Sequence, residues 1–533
     1  MLRNNNLNKV KVFVTMCLVI FIANSCDDLV DEVPESEISP ENFFRNNEDL
    51  ETALTAAYDG LQNAYATNTF YWGEIRSENH QSIGAQANGD DLDIINNNIT
   101  PGNPQTRWDR LYLMIERANQ VIFNAPKISG YNKNFLGEAY AIRAKGYFDA
   151  IRVWGDVPLF TEPVTLLSEA MKPATDATTI MNDVVIADML KAEELLTIPS
   201  SNFRFSRASV YALQAEVYMW LNDYAKAKQA IEALINLGEH SLVTTPEAWD
   251  DLFYNNLASQ NFPEGRGKIQ TGPELIMSIQ YNLEEQVRFG GSHPLNRSGV
   301  QAVYFSPIPS YAISEVVENK WRDKFPIDSL GWVTKYPGTD PALTRTVTVD
   351  DGMGGVIEVE QPVYGDWRYY YSREGRVDNF SSVEIGSART AKWNQTPQRS
   401  DLDDTDIVLY RYADMILLLA EAENQLGNDI RALELVNQVR TARQLPLVDP
   451  IEFGASPDER LNFILDERQF ELFGEGKRWW DLVRNNKASE VLDPVLAGRE
   501  NALPLTPGRE LWPIFVEHLI ENPLLNQNEA YNN

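Results

Sequence analysis

The sequence predicts a mostly α-helical protein of paired helices, interrupted by a loop-rich variable section that contains a small β-hairpin. Two observations support this prediction. Apolar residues recur every three or four positions over long stretches near both ends of the chain, which is the pattern of amphipathic helices. Between residues 238 and 406 that periodicity fades, and Gly, Pro, Tyr and Trp become frequent. Hydrophobic residues make up 43% of the 533 positions, enough for a sizeable packed core.

Residues 1–25 have the order of a secretory signal peptide. A short basic stretch precedes an apolar run from Val12 to Ala23, which ends in small residues before Cys26. The run is about 12 residues long, whereas a membrane-spanning helix needs roughly 20. Cys17 lies inside the run and is removed with it. Cys26 is then the one cysteine of the mature chain, and no internal disulfide can form.

Cys26 and the residues before it resemble the bacterial lipobox, in which the cysteine is lipidated and becomes the new N-terminus. Position 23 holds Ala where Leu is commoner. Because each buried methylene contributes about 0.8 kcal/mol, a multiply acylated Cys26 would be a firm membrane anchor. The alternative is a free thiol left by ordinary signal cleavage. Residues 26–38 form a polar tether, and Ser39-Pro40 is predicted to open the fold as a helix N-cap.

The periodic segments that follow are predicted as helices, and they cluster in residues 39–237 and 407–533. In chain order they are Glu48–Ala64, Thr106–Asn124, Asn134–Val153, Ile180–Leu196, Arg207–Leu221, Tyr224–Leu237, Tyr410–Leu426, Ile430–Ala442, Pro457–Phe473 and Lys477–Arg484. Several share a spacing of a bulky, a small and a bulky residue, which lets paired helices approach closely at the small one. The triplets are Tyr140-Ala144-Tyr147, Tyr211-Ala215-Tyr218 and, more loosely, Ile416-Ala420-Glu423. This spacing predicts tetratricopeptide-like helical hairpin repeats.

The section 238–406 reads as long loops on a helical scaffold. Two alternating segments, Thr346–Val349 and Val356–Val359, flank the turn residues Asp351–Gly354. This pattern predicts a β-hairpin. Loops held by a rigid scaffold are where binding residues concentrate, so we expect the ligand site to involve this section.

Charge and motifs exclude several function classes. Acidic residues outnumber basic ones 77 to 46, and the net charge of −31 repels nucleic acid. The four histidines are not spaced as metal ligands, and the sequence has neither a phosphate-binding loop nor a hydrolase nucleophile elbow. A glycosidase needs two facing carboxylates, and nothing in the sequence selects a pair. We therefore predict a protein that is not an enzyme, and a secreted glycosidase is a remote alternative.

An acidic run has the density of a calcium loop. Its carboxylates belong to Asp401, Asp403, Asp404 and Asp406. A calcium loop needs Gly at its sixth position for a sharp turn, and Asp406 stands there. We interpret the run as a solvated loop before a helix, with calcium as the alternative, and expect no cofactor and no metal.

Aromatic residues point to a sugar ligand. Apolar sugar faces stack on Trp and Tyr rings while polar side chains bind the hydroxyls, so a sugar site needs both kinds of residue together. Residues 71–79 hold both kinds within nine positions, and the section 238–406 adds Tyr304, Trp321 and Trp332. Core packing explains many such rings equally well. As a set, they favour a carbohydrate-binding protein.

Motifs near the C-terminus resemble the SusD/RagB family. They are the segment Tyr410–Asp414 followed by Leu417–Ala422, and above all the segment Asp466–Leu482. Residues Arg143–Phe148 and Trp154–Leu159 resemble the family's N-terminal signature. The closing segment, Leu511–Tyr531, also agrees, although Phe515 stands where Pro is usual and Ala530 where Gly is usual. The charges of the Asp466–Leu482 segment are interpreted as a ladder that holds the fold together.

This resemblance implies a SusD-like α/α superhelix in a surface lipoprotein, anchored to the outer membrane through Cys26 and facing the cell exterior. Such proteins capture an oligosaccharide and deliver it to a SusC-like TonB-dependent transporter, with peptide capture as the alternative. The chain then divides into the signal peptide 1–25, the lipidated Cys and tether 26–38, an N-terminal helical region 39–237, the variable section 238–406 and a C-terminal helical region 407–533. The segment after the first helix lines the ligand pocket in this family. The implied ligand residues are Trp72, Arg76, Glu78, Asn79, Tyr304, Trp321 and Trp332.

Overall fold

The computed structural model describes residues 43–83, 89–199, 201–253, 255–256, 269–282, 300–304, 311–339, 341, 343–374, 383–393, 395–396 and 404–532. The predicted signal peptide, Cys26, the tether and the Ser39-Pro40 cap lie outside these residues, as do Asp401 and Asp403. Within the described part of the chain, no helix combines the length and the apolar character needed to cross a bilayer.

Helices dominate the described residues. The α-helices are α1 Asn47–Tyr65, α2 Asn68–Phe70, α3 Gly89–Ile95, α4 Asp109–Asn124, α5 Lys133–Trp154, α6 Leu167–Ala170, α7 Ala177–Ile180, α8 Ala187–Leu195, α9 Arg207–Trp220, α10 Tyr224–Leu237, α11 Pro246–Asp250, α12 Val300–Tyr304, α13 Glu315–Lys324, α14 Ser329–Lys335, α15 Trp367–Ser372, α16 Tyr412–Gln425, α17 Asp429–Ala442, α18 Pro450–Phe453, α19 Pro457–Glu471, α20 Arg478–Arg484, α21 Ala488–Leu496 and α22 Val516–Glu521. Short π-helical turns span Tyr71–Ile75 and Met181–Ile186, and 3-10 turns span Pro104–Thr106, Ala125–Lys127 and Glu529–Tyr531.

The strands are short and pair in twos. They are β1 His80–Ser82, β2 Val157–Pro158, β3 Ala174–Thr175, β4 Asn255–Asn256, β5 Leu275–Ile279, β6 Tyr311–Ile313, β7 Thr344–Asp350, β8 Val356–Pro362, β9 Gln395–Thr396 and β10 Ile407–Arg411. β1 pairs with β6, β2 with β3, β5 with β10 and β7 with β8, all antiparallel, while β4 and β9 are parallel. The mostly helical fold predicted from the sequence is therefore confirmed.

Most helix bounds agree with the predicted segments to within one turn, and one differs for a clear reason. The prediction started a helix at Tyr410, whereas α16 begins at Tyr412. Tyr410 and Arg411 instead end strand β10 and face Met277 and Leu275 of β5. Every residue of both strands is buried, and the β-branched start of β10 favours an extended chain. The segment predicted from Ile180 to Leu196 is helical up to Leu195, with a π-helical turn between α7 and α8.

The small residues of the predicted repeats lie where helices cross. Ala144, Ala215 and Ala420 are fully buried, and α9 packs on α10 as α16 packs on α17. The alanines of the second helices, Ala227 and Ala432, are fully buried too. A methyl group at these positions allows the paired backbones to approach closely, as the spacing predicts.

The predicted β-hairpin is present. Strands β7 and β8 pair with Val349 opposite Ile357 and Asp350 opposite Val356. The turn closes on Asp351, whose carboxylate accepts hydrogen bonds from the backbone N–H groups of Met353 and Gly355. Nearly all side chains of β8 are exposed, so the hairpin projects from the protein rather than covering its core.

The variable section is joined to the C-terminal helices by a second hydrophobic cluster beside the main core. Its buried members are Ile313, Val317, Trp321, Phe325, Trp332, Tyr336, Tyr369, Leu445, Phe470 and Phe473. Helices α13 and α14 thus pack on α19 through rings and aliphatic groups. This packing makes the base of the variable section part of the rigid body.

A buried network of ion pairs lies beneath that cluster. The carboxylate of Glu471 is 2.7–2.8 Å from nitrogens of three buried arginines, Arg368, Arg411 and Arg443. Burial by itself raises the pKa of Glu471, but attraction to these arginines lowers it well below its usual range. Glu471 therefore connects the variable section to both strand β10 and helix α17.

The predicted charge ladder takes a different form. Glu471 and its neighbours pair with other elements, not with one another along α19. Arg468 binds Asp481 at 2.8 Å and Asp414 at 2.8 Å, and Arg478 binds Glu78 at 2.6 Å. The motif thus joins separate elements of the fold through buried ion pairs. Its structural role, predicted from the sequence, is confirmed.

Candidate functional site

All seven ligand residues chosen from the sequence are buried in the structure. Their exposed fractions lie between 0 and 3%. The seven are Trp72, Arg76, Glu78, Asn79, Tyr304, Trp321 and Trp332. A ligand cannot reach side chains at this depth without opening the core, so the structure corrects the choice of these residues.

Three of the four residues after the first helix contact the C-terminal region: Arg76, Glu78 and Asn79, whose side-chain oxygen accepts a hydrogen bond from Gln469 at 2.7 Å. Arg76 donates to the backbone carbonyl of Glu510 at 2.7 Å, and its guanidinium lies 4.3 Å from the Trp479 ring centroid. Glu78 pairs with Arg478, while Asn79 donates to Glu74 at 2.6 Å. The Trp72 ring packs edge-on against Trp154.

Glycine makes this close packing possible. A Cβ atom on Gly73 would collide with the carbonyl oxygen of Gly476. The polar and aromatic residues that suggest a sugar site in the sequence therefore form the contact between the N-terminal segment and the Asp466–Leu482 motif.

The three aromatic residues of the variable section are core residues as well. The Trp321 ring stacks on Phe470 with centroids 5.1 Å apart, and its Nε1 donates to Asp366 at 2.9 Å. Trp332 packs on Tyr336 in the same cluster. Tyr304 stacks on His80 at 5.5 Å. The presence of aromatic residues in the sequence could not show whether these rings are buried or form an exposed stacking surface.

A large open groove lies elsewhere in the described structure. It has a volume of about 750 Å³ and runs between α4, the chain following β2, α6 and α22. Its walls are mainly apolar and aromatic, with several polar groups. The lining residues are Trp108, Asp109, Tyr112, Leu113, Ile115, Glu116, Pro158, Phe160, Val164, Leu167, Ala170, Met171, His518, Glu521, Asn522 and Leu525. A large apolar groove with a few converging polar groups is the default location for a ligand site.

The aromatic wall of this groove is held in place from behind. The rings of Tyr112 and Phe160 are perpendicular, with centroids 5.9 Å apart, and the Tyr112 hydroxyl donates to the carbonyl of Pro158 at 2.6 Å. The backbone of Phe160 bonds the hydroxyl of Tyr147 through its N–H at 2.6 Å and through its carbonyl at 2.8 Å. Both rings are only partly buried, so they offer a fixed surface on which a ligand can stack.

The polar groups in the groove include the buried ring of His518 and the carboxylates of Asp109, Glu116 and Glu521. His518 stacks on Trp108 with 4.9 Å between centroids, and its Nε2 accepts the backbone N–H of Trp108 at 3.2 Å. Burial lowers the pKa of His518, so the ring is neutral at pH 7 and carries its proton on Nδ1. Burial likewise raises the pKa of Glu116. The carboxylates disfavour an anionic ligand, and the apolar and aromatic walls suit an amphipathic ligand with hydroxyl groups at its edges.

Exposed apolar side chains surround the groove. Leu113, Leu167 and Met171 have exposed fractions of 42, 84 and 44%. Clustered exposed apolar residues mark a binding surface more often than isolated ones do. Sequence reasoning missed this region because its parts come from residues 108–171 and 516–525. A usable signal was present, since Trp108 and Tyr112 lie four residues apart at the start of a helix.

Among the residues that the structure describes, no group of three or more His, Cys, Asp or Glu side chains is arranged to hold a metal ion. Asp404 and Asp406 are buried, and Asp406 accepts the backbone N–H of Tyr281 at 2.8 Å. The other two members of the proposed calcium run, Asp401 and Asp403, lie outside the described residues.

Two family models match this chain. One, described as the SusD family, matches residues 264–531. The other, described as starch-binding associating with outer membrane, matches residues 28–219. Among relatives, SusD-like protein P38 of Formosa agariphila is 42% identical over 98% of this chain and 99% of its own length. SusD-like protein P2 of the same organism is 26% identical over 94% of this chain and 97% of its own length.

Solved structures share the fold. A SusD superfamily protein from Bacteroides thetaiotaomicron matches with a TM-score of 0.65 and 20% identity, covering 92% of this chain and 99% of that one. NanU of B. fragilis matches with a TM-score of 0.64 and 22% identity, covering 94% of this chain and 100% of that one. At these identities the comparison concerns the fold alone, and it agrees with the mostly helical architecture described above.

Proposed function

This chain belongs to the SusD family, and from that premise we propose that it is a surface-exposed glycan-binding lipoprotein. In this proposal Cys26 carries the lipid anchor in the outer membrane, and the protein faces the cell exterior. It captures an oligosaccharide and delivers it to a SusC-like TonB-dependent transporter. Its role is binding, without catalysis.

The observation that carries the proposal is the aromatic-walled groove between α4, α6 and α22. Its volume of about 750 Å³ lies within the range of roughly 300–1,000 Å³ typical of small-ligand sites. The partly exposed rings of Tyr112 and Phe160 stand at right angles, which suits the apolar faces of successive sugar rings. His518 and Asn522 supply neutral polar groups for hydroxyls.

Electrostatics also support a sugar ligand. The protein surface is strongly acidic, with a net charge of −31. The groove carries carboxylates as well, those of Asp109, Glu116 and Glu521, and burial lowers the pKa of His518, which favours its neutral form. A neutral oligosaccharide avoids the repulsion that an anionic ligand would meet there, and its hydroxyls can donate hydrogen bonds to the carboxylates. The family model described as starch-binding associating with outer membrane, which covers residues 28–219, is consistent with this class of ligand.

A glycan array probed with the exported protein, followed by titration calorimetry of the hits, tests this function. We expect at least one oligosaccharide to bind and to remain uncleaved. Phe160→Ala removes one stacking ring at a cost of about 1.5 kcal/mol, which weakens the affinity roughly tenfold. The backbone bonds of Phe160 do not involve its ring, so the loop keeps its place.

Phe123→Ala is the matched control. Phe123 is a phenylalanine on α4 with an exposed fraction of 44%, and it does not line the groove. Its removal leaves the affinity unchanged. An array without any bound glycan, or binding of peptides alone, contradicts glycan capture. Unchanged affinity in Phe160→Ala places the glycan outside the groove.

A further inference from the structure

A second cleft lies between α13, α14 and α19. Its volume is about 480 Å³. It is lined by Val316, Asn319, Lys320, Asp323, Lys324, Lys335, Asp466 and Phe470. Three lysines thus face two aspartates, in a chain where acidic residues outnumber basic ones 77 to 46. The lining thus holds more lysines than carboxylates, and the carboxylate of Glu452, which pairs with Lys324, lies beside it.

The lysines of this cleft are held by rigid elements. Lys320 donates to Asp466 of α19 at 2.5 Å and to Gln469 at 2.7 Å. Lys324 donates to Glu452 at 2.9 Å, and its ammonium lies 4.2 Å from the ring centroid of Phe463. Because these contacts lie on packed helices, the ammonium groups have fixed positions.

Lys335 is the least compensated of the three. Its Nζ donates to the backbone carbonyl of Asp323 at 2.6 Å. Among the residues that the structure describes, no carboxylate lies within ion-pair distance of it. Partial burial and the nearby charge of Lys324 lower the pKa of Lys335, and the attraction of Glu452 and Asp323 offsets only part of this effect. The two ammonium groups repel each other, and an anion placed between them would relieve that repulsion.

We propose that this cleft binds the anionic group, a carboxylate or a sulfate, of an acidic saccharide. Lys324 and Lys335 supply charge-assisted hydrogen bonds to the anion, and Asn319 and Asp323 can bond hydroxyls of the same sugar. The surrounding protein surface is acidic and disfavours nonspecific anion binding elsewhere. The proposal rests on glycan binding as the function, but it does not depend on the groove at α4 and α22.

Paired saccharides that differ only in charge test the proposal. One pair is trigalacturonate and its methyl ester, and the other is a carrageenan tetrasaccharide and its desulfated form. With the full-length protein in detergent at fixed ionic strength, calorimetry should give about tenfold tighter binding for the charged member of at least one pair. The pair that responds distinguishes a carboxylate from a sulfate ligand.

The double variant Lys324→Gln/Lys335→Gln should reduce that preference to within about twofold, because both charge-assisted bonds are lost. The matched control is Lys191→Gln/Lys226→Gln, which removes two lysines whose side chains are 57 and 56% exposed on other helices. The control should keep the preference. A preference that survives in the cleft variant overturns the proposal, and so does equal binding of charged and neutral forms.

The two proposals fail in different ways. Binding of neutral glycans without any preference for charge refutes the acidic-saccharide site and leaves the proposed function intact. Charge-dependent binding that Phe160→Ala leaves unchanged, while the cleft variant abolishes it, supports the cleft independently of the groove. If no saccharide of either kind binds, glycan capture itself is refuted.

Discussion

Replacing Trp321 by Ala separates the structural role of this ring from the ligand role that its sequence context suggests. The ring is 1% exposed and stacks on Phe470 with centroids 5.1 Å apart. Truncating a buried Trp to Ala costs about 3–5 kcal/mol, because the cavity cannot collapse fully. Loss of the Nε1 donor to Asp366 adds about 1 kcal/mol. We therefore expect destabilisation of about 4–6 kcal/mol in the free energy of unfolding.

Equilibrium denaturation in guanidinium chloride, with the midpoint and slope compared between variants, measures this change. Trp321→Phe keeps an aromatic ring and loses the donor, so it should cost only about 1–2 kcal/mol. Leu330→Ala on the neighbouring helix is the control, since that side chain is 77% exposed and its loss should change stability by less than about 0.5 kcal/mol. The reasoning is refuted if Trp321→Ala unfolds within about 1 kcal/mol of the wild type while its glycan affinity falls tenfold.

Two further predictions concern buried charges, and denaturation curves at several pH values check both. Glu471→Gln should destabilise the protein by about 3–5 kcal/mol at pH 7, whereas Glu434→Gln, at a glutamate whose side chain is 57% exposed, should cost less than about 1 kcal/mol. Since the pKa of Glu471 is lowered in the folded protein, the stability that its charge contributes is fully present above a pH of about 4.3 and declines below it. A stability difference between the wild type and Glu471→Gln that stays constant down to pH 2 contradicts this. Burial lowers the pKa of His80 to about 3, so protonation favours unfolding, and wild-type stability should fall by about 1.4 kcal/mol per pH unit from about 6.5 towards 3. His80→Gln should lack that part of the slope, and equal slopes in both proteins would exclude His80 as its source.

Local patterns in the sequence were sufficient for the helices and the hairpin. The spacing that buries Ala215 and Ala420 repeats along single helices, so it can be read without tertiary information. The same holds for the turn at Asp351, whose carboxylate caps its own loop. Where tertiary pairing overrides local preference, the prediction failed, as at Tyr410, which follows helical periodicity but joins a buried strand.

The candidate site could not be predicted in this way. A stretch with Trp72, Arg76 and Asn79 has the composition of a sugar site, yet the guanidinium of Arg76 donates to the backbone carbonyl of Glu510, 434 residues away. Composition describes which groups are present, while burial depends on which elements meet. The groove between α4 and α22 shows the converse, because its two walls come from distant parts of the sequence, with Trp108 and His518 410 residues apart.

The distribution of charge inside the molecule explains why the recognisable motif and the proposed binding surfaces lie apart. Glu471 and Glu475 are buried and accept hydrogen bonds from buried cations, among them Arg411. Their carboxylates are therefore not available to a ligand. A change at either residue leaves buried charges unpaired and disturbs several elements at once. Phe160 and Lys335, by contrast, lie on partly or largely exposed surface, where substitution costs little stability. The ligand preference can therefore change at the groove and the cleft while the internal ion pairs keep the fold intact.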